Sequence, residues 1–135
     1  MVAFRKLVSE LDQGVGRRVA AYGRILQSSD RVIPYLADAL RRARTADARE
    51  ACADLLGARK KARAVPALIE ALGDEDEHVH VHAMWAIEKA LKFEIGGLQV
   101  ILGGHLFDGP RVMKAAVTNW WKRNRSFIEG NWMIW

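Results

Sequence analysis

The strongest constraint on this chain is that it repeats itself. Arg31-Val-Ile-Pro-Tyr-Leu-Ala-Asp-Ala-Leu40 returns as Arg63-Ala-Val-Pro-Ala-Leu-Ile-Glu-Ala-Leu72, with Pro34 matching Pro66 at an offset of 32. A period of this size marks stacked supersecondary units, none of which can bury its apolar face alone. Each copy predicts a helix: proline sits in the first turn, where its missing N–H costs nothing, and apolar residues follow at helical spacing. A second helix follows each one. Ala48-Arg-Glu-Ala-Cys-Ala-Asp-Leu-Leu-Gly57 and Val79-His-Val-His-Ala-Met-Trp-Ala-Ile-Glu88 align at an offset of 31. Small residues, Ala51 and Ala83 among them, are expected where neighbouring helices approach closely.

Weaker copies flank these two. Residues 17–26 read as the second helix of a first repeat, after a first helix over about residues 2–11. Leu98 to Leu102 and Val112 to Trp121 read as the two helices of a fourth, the first of them loosened by glycines at 96, 97, 103 and 104. Four helix pairs would then fill residues 1–123. Residues 124–135, with Phe127, Ile128, Trp132, Met133, Ile134 and Trp135, form an aromatic tail expected to cover the apolar flank of the terminal repeat. Docking on a partner or a membrane surface is the competing use of that tail.

The residue pattern carries a family resemblance. Arg63-Ala-Val-Pro-Ala-Leu-Ile-Glu-Ala-Leu72, an acidic turn, and then a helix with Val79, Ala83, Ala86 and Ile87 resemble the short HEAT-like repeats of phycobilin lyases; the match covers residues 30–91. The resemblance implies an all-α, right-handed α-solenoid of the armadillo type, about four helix pairs long. It implies binding of a protein or peptide, as a scaffold or adaptor, rather than catalysis. Two other expectations stay open beside it: nucleic-acid binding, as in HEAT-like DNA glycosylases, and an accessory role in attaching a bilin or other cofactor.

Composition agrees with one helical globular domain: 50% hydrophobic, 27% charged and only three prolines. The lone cysteine, Cys52, cannot form an internal disulfide, and Arg5, Lys6 and Glu10 interrupt any leader-like start, so a cytoplasmic location is expected. The net charge of +5 hides a segregation. Residues 1–63 carry fourteen Lys/Arg against seven Asp/Glu, residues 64–108 two against eight, and residues 109–135 five against one. Arg17, Arg18, Arg24, Arg41, Arg42, Arg44, Arg59, Lys60, Lys61 and Arg63 support the nucleic-acid alternative, but a polyanion would meet the acidic third repeat.

Chemistry-bearing motifs are few. Asp74-Glu-Asp-Glu77 leads into His78, His80 and His82, and an i, i+4 histidine pair beside acids can hold a metal ion. Acids before a helix also cap it and oppose its dipole, and that reading takes precedence, so no metal and no cofactor are expected. The HEAT-like iron enzyme deoxyhypusine hydroxylase uses His-Glu dipeptides, which this chain lacks. Cys52, in an Ala-Cys-Ala run, reads as a small buried hydrophobe, so no catalytic residue is assigned.

Second helices of such a solenoid line its concave face, and helical phase then names what they display. In the third repeat Val79, Ala83, Ala86, Ile87 and Ala90 form the inward stripe, leaving His78, Val81, His82, Trp85 and Lys89 outward. Neighbouring repeats would add Arg49, Glu50 and Asp54 on one side and Lys114, Thr118 and Trp121 on the other. An outward tryptophan points to a contact site, because aromatic anchors dominate binding energy.

Overall fold

The structure, a computed structural model, describes residues 3–91, 109–132 and 134–135. Three helix pairs come first: α1 (Phe4–Ser9) with α2 (Val15–Leu26), α3 (Ile33–Arg42) with α4 (Ala46–Ala58), and α5 (Val65–Ala71) with α6 (Glu77–Ala90). The helix α7 (Pro110–Glu129) ends the described fold. Among the described residues there is no strand. Pro34, Pro66 and Pro110 stand in the first turns of α3, α5 and α7. Thr45 caps α4 by accepting the Ala48 N–H, and the Asp76 carboxylate caps α6 by accepting the N–H groups of His78 and Val79.

The pairs stack in two layers, as an all-α solenoid requires. First helices α1, α3 and α5 form one row and second helices α2, α4 and α6 the other. Leu36, Leu55, Leu56, Leu68, Leu72 and Ile87 fill the space between the rows, with almost no exposed surface. Contact is most extensive between α4 and α6, because a glycine there meets an alanine. A Cβ built on Gly57 would lie 2.8 Å from Ala86 Cα and 2.9 Å from Ala86 Cβ, so this backbone approach admits only glycine.

Polar ties fix one repeat on the next. Asp12, in the turn before α2, accepts the backbone N–H groups of Arg44 and Thr45 and the Thr45 hydroxyl. Arg49 makes a two-pronged contact with Asp74 at 2.9 and 3.3 Å and also donates to the Ala43 carbonyl. Arg18 repeats the theme one unit earlier, donating to the Leu11 carbonyl and pairing with Asp47 at 3.7 Å. His80 holds the corresponding place in the third repeat. Its Nδ1 lies 2.7 Å from the Leu72 carbonyl, an acceptor, so that nitrogen carries the proton.

Only the second helix of the expected fourth repeat falls within the described residues. Residues 98–102 lie outside the described residues. The helix expected over 112–121 runs on to Glu129, so the boundary expected at residue 123 falls inside α7. This helix packs against α5 and the 62–64 turn, placing it after α5 in the first-helix row. The chain end then folds back: the Ala62 N–H donates to the Ile134 carbonyl, and Trp135 stacks on Trp121 with ring centres 6.3 Å apart.

Two measurements test these contacts. Gly57→Ala should lower the thermal midpoint, because overpacking costs about 1–3 kcal/mol and outweighs the helix-propensity gain. Gly23→Ala, where a Cβ would meet nothing within 4 Å, should raise stability by about 0.5–1 kcal/mol. Equal effects at the two positions would show that the α4–α6 approach is not tight. The Asp12 tie has a pH signature. Burial of Asp12 pushes its carboxyl up, but the Thr45 hydroxyl bond and the backbone N–H bonds from Arg44 and Thr45 outweigh this and hold it below 3.8. A depressed carboxyl stabilises the fold fully above its unfolded value and loses that contribution as pH falls through the folded one. The gap in thermal midpoint between the native chain and Asp12→Ala should therefore be open at neutral pH and narrow as pH drops below about 3.8.

Candidate functional site

The row of second helices places a compact polar and aromatic cluster on its outer surface. Glu50 and Asp54 are one turn apart on α4, and the tight Gly57–Ala86 approach brings α6 close enough for His82 to reach both. His82 Nδ1 lies 2.6 Å from Asp54 Oδ1, and Nε2 lies 3.1 Å from Glu50 Oε1. A neutral imidazole donates from one nitrogen only, so the arrangement is fully satisfied by the doubly protonated ring. Even then, two carboxylates share at most one positive charge.

An aromatic ring packs on this group, and a phenol lies within reach of its charge. Trp85, one turn beyond His82 on α6, meets the imidazole ring edge-on at 5.0 Å and keeps 48% of its surface exposed. Tyr22 on α2 feels the charge of Asp54; burial first, and then that carboxylate, push its phenol above the ordinary value of 10.0. Trp85, His82, Glu50 and Asp54 therefore form one cluster across α4 and α6, with Tyr22 on α2 within electrostatic reach of Asp54.

The sequence-derived candidates divide. Glu50, Asp54, His82 and Trp85 converge. His78 and Lys89 are exposed on the same stripe of α6, and Val81 beside them is half-buried. Two candidates belong elsewhere. Trp121 is only 5% exposed and stacked by Trp135, and Lys114 lies over Gly73 in the turn between α5 and α6. The reason is topological: α7 follows α5 in the first-helix row and does not extend the row that carries Trp85. Arg49 is committed to Asp74 and the Ala43 carbonyl.

The acidic turn does not assemble around His78 and His82 as a metal site would require. Asp74 holds Arg49 and accepts the Asp76 N–H, while Asp76 caps α6. Among the described residues the group that could hold a cation is instead Glu50, Asp54 and His82, whose ligand atoms lie within 4.8 Å of one another. Both ring nitrogens already have carboxylate partners. Tyr22 was missed, although Val15, Val19, Tyr22 and Leu26 repeat at i, i+4, i+7 and i+11 and could have been read as one stripe.

Residues 33–96 match the family model for HEAT repeats. This segment is a run of HEAT repeats. It includes α3 through α6 and with them Glu50, Asp54, His82 and Trp85. HEAT repeats commonly serve as protein-interaction modules. No curated protein and no solved structure matches the chain. Among the described residues no helix is long and apolar enough to cross a membrane.

Cys52 is walled off from this surface. Burial, with a smaller push from Asp12, raises its thiol to about 12, which leaves essentially no thiolate at neutral pH. A disulfide reagent should leave Cys52 unmodified in the folded protein and label one equivalent after denaturation. Fast labelling of the native chain would contradict this packing.

Proposed function

We propose that this chain is a non-enzymatic interaction module, an adaptor or scaffold that holds a protein or peptide on the concave face formed by α2, α4 and α6. The observation carrying this reading is Trp85. A large aromatic ring stands half exposed at the middle of a HEAT-repeat surface, steadied by His82, with charged groups around it. Such a ring offers binding energy at small entropic cost, and a polar surround supplies orientation. We place this work in the cytoplasm, where a lone reduced thiol such as Cys52 is at home.

The nucleic-acid alternative draws less support. Arg18, Arg41, Arg42, Arg44 and Arg59, half of the cations that motivated it, are paired with Asp47, Glu70, Asp38, Asp12 and Asp30. The concave row itself carries Asp47, Glu50 and Asp54, which would repel a phosphate backbone. Nothing in the cluster favours an accessory role in bilin attachment over peptide binding.

A partner recovered by pull-down and identified by mass spectrometry supplies the test. Trp85→Ala should leave the thermal midpoint nearly unchanged and weaken that partner by about 2 kcal/mol or more, as expected of an interface hot spot. Ala83→Trp is the control for the fold, since Ala83 has no exposed surface and overfilling it should unfold the stack. Loss of stability in Trp85→Ala with no loss of partner would refute the reading.

A further inference from the structure

Three second helices form the concave face, and the first of them is unusual. On α2, Val15 is 70% exposed, Val19 67% and Leu26 46%, and helical phase puts all three on one stripe with Tyr22. A surface helix ordinarily turns such a stripe inward. Here the inward positions are already taken by Ala21 and Ile25, so the second apolar stripe is surplus to the core. Tyr22 shows where it points. Arg18, one turn before Tyr22, reaches Asp47 on α4 at 3.7 Å, and α2 packs beside α4, so Tyr22 and the stripe next to it stand on the α4 side of α2 and border the same trough as Trp85.

The trough therefore has an apolar rail on α2, carboxylates along α4, and an aromatic rail on α6. Its middle keeps negative charge in either state of His82, because Glu50 and Asp54 share one imidazole. Neighbouring helices pack about 8–10 Å apart, and a helix is about 10–12 Å across with its side chains, so a single helix laid over α4 can touch both rails. We infer that the occupant of this face is a cationic amphipathic helix. Its lysines or arginines would face Glu50 and Asp54, while apolar side chains on either flank would meet Val19 and Leu26 on one side and Trp85 on the other. Lys89 puts a positive charge at the end of the α6 rail, one turn beyond Trp85, so the selection against an acidic helix comes from Glu50 and Asp54 at the middle, and the apolar rails select against a cationic chain with no apolar face.

This inference rests on the concave-face reading above and names the chemistry of its ligand. The test uses the full chain and three synthetic peptides in fluorescence anisotropy at physiological salt. One is an amphipathic helix of lysine and leucine, one has glutamate in place of lysine, and one is a scramble of the first. The lysine–leucine helix should bind saturably, the glutamate version should not bind, and the scramble should bind at least about tenfold more weakly. Val19→Ser and Asp54→Asn should each weaken the lysine–leucine helix about tenfold or more. Phe127→Ser, at an aromatic on α7 that is 80% exposed, should change nothing.

Indifference to Val19→Ser, or equal binding of the three peptides, would overturn the inference. A dimer of the chain that Val19→Ser dissociates, with no peptide binding, would do so as well, by assigning the face to a second copy. If Trp85→Ala alone weakens the recovered partner, the concave-face reading stands and the cationic-helix inference falls. If Trp85→Ala is also silent, both fall.

Discussion

The close approach of α4 and α6 is the constraint on which the rest of this structure depends. Gly57 has no side chain, and Ala86 comes as near as a backbone allows. Separating the two helices by the width of one methyl group would relieve that contact and also draw His82 away from Glu50 and Asp54. Hydrogen bonds of 2.6 and 3.1 Å do not survive a shift of that size. The same pair of helices carries much of the buried core, so a single packing decision sets both the stability of the stack and the geometry of its outer surface.

The polar ties work at a different level. Arg18, Arg49 and His80 occupy equivalent places in three successive repeats, and each bonds a carbonyl of the turn that precedes its own helix. The two arginines also reach acids beyond that turn, Arg18 at Asp47 and Arg49 at Asp74. Arg49 and Asp74 are largely buried, which makes their two-pronged contact worth more than the exposed Arg42–Asp38 pair. These contacts fix the rotation between repeats, whereas the apolar core fixes only their distance. The second-helix row inherits its geometry from both.

Much of this was legible in the sequence, and the illegible part has a physical reason. The repeat offset located α3 through α6, because proline in a first turn and apolar residues at helical spacing are local signals. Phase within α6 correctly turned Trp85 outward and Ala83 inward. Phase is defined only inside one helix, however. It could not say that α7 follows α5 in the first-helix row, so Trp121 and Lys114 were assigned to a groove they do not line. The same limit hid the convergence of Glu50, Asp54 and His82, which depends on how closely two helices approach. That approach was signalled only by a glycine, Gly57, at the end of a repeat.

The charge segregation of the chain also takes on a clearer meaning in three dimensions. The basic excess of residues 1–63 suggested a polyanion, yet several of those arginines are spent on ion pairs that join repeats or brace helices. Acids that look scattered in the sequence, Asp47, Glu50 and Asp54, fall on one face of α4 because three, four and seven residues are near-whole turns of a helix. Net charge therefore misstates what a partner meets. On the outer surface of the second-helix row the carboxylates of Glu50 and Asp54 lie beside the exposed ring of Trp85, and that local pattern, rather than the overall +5, sets the electrostatics of this surface.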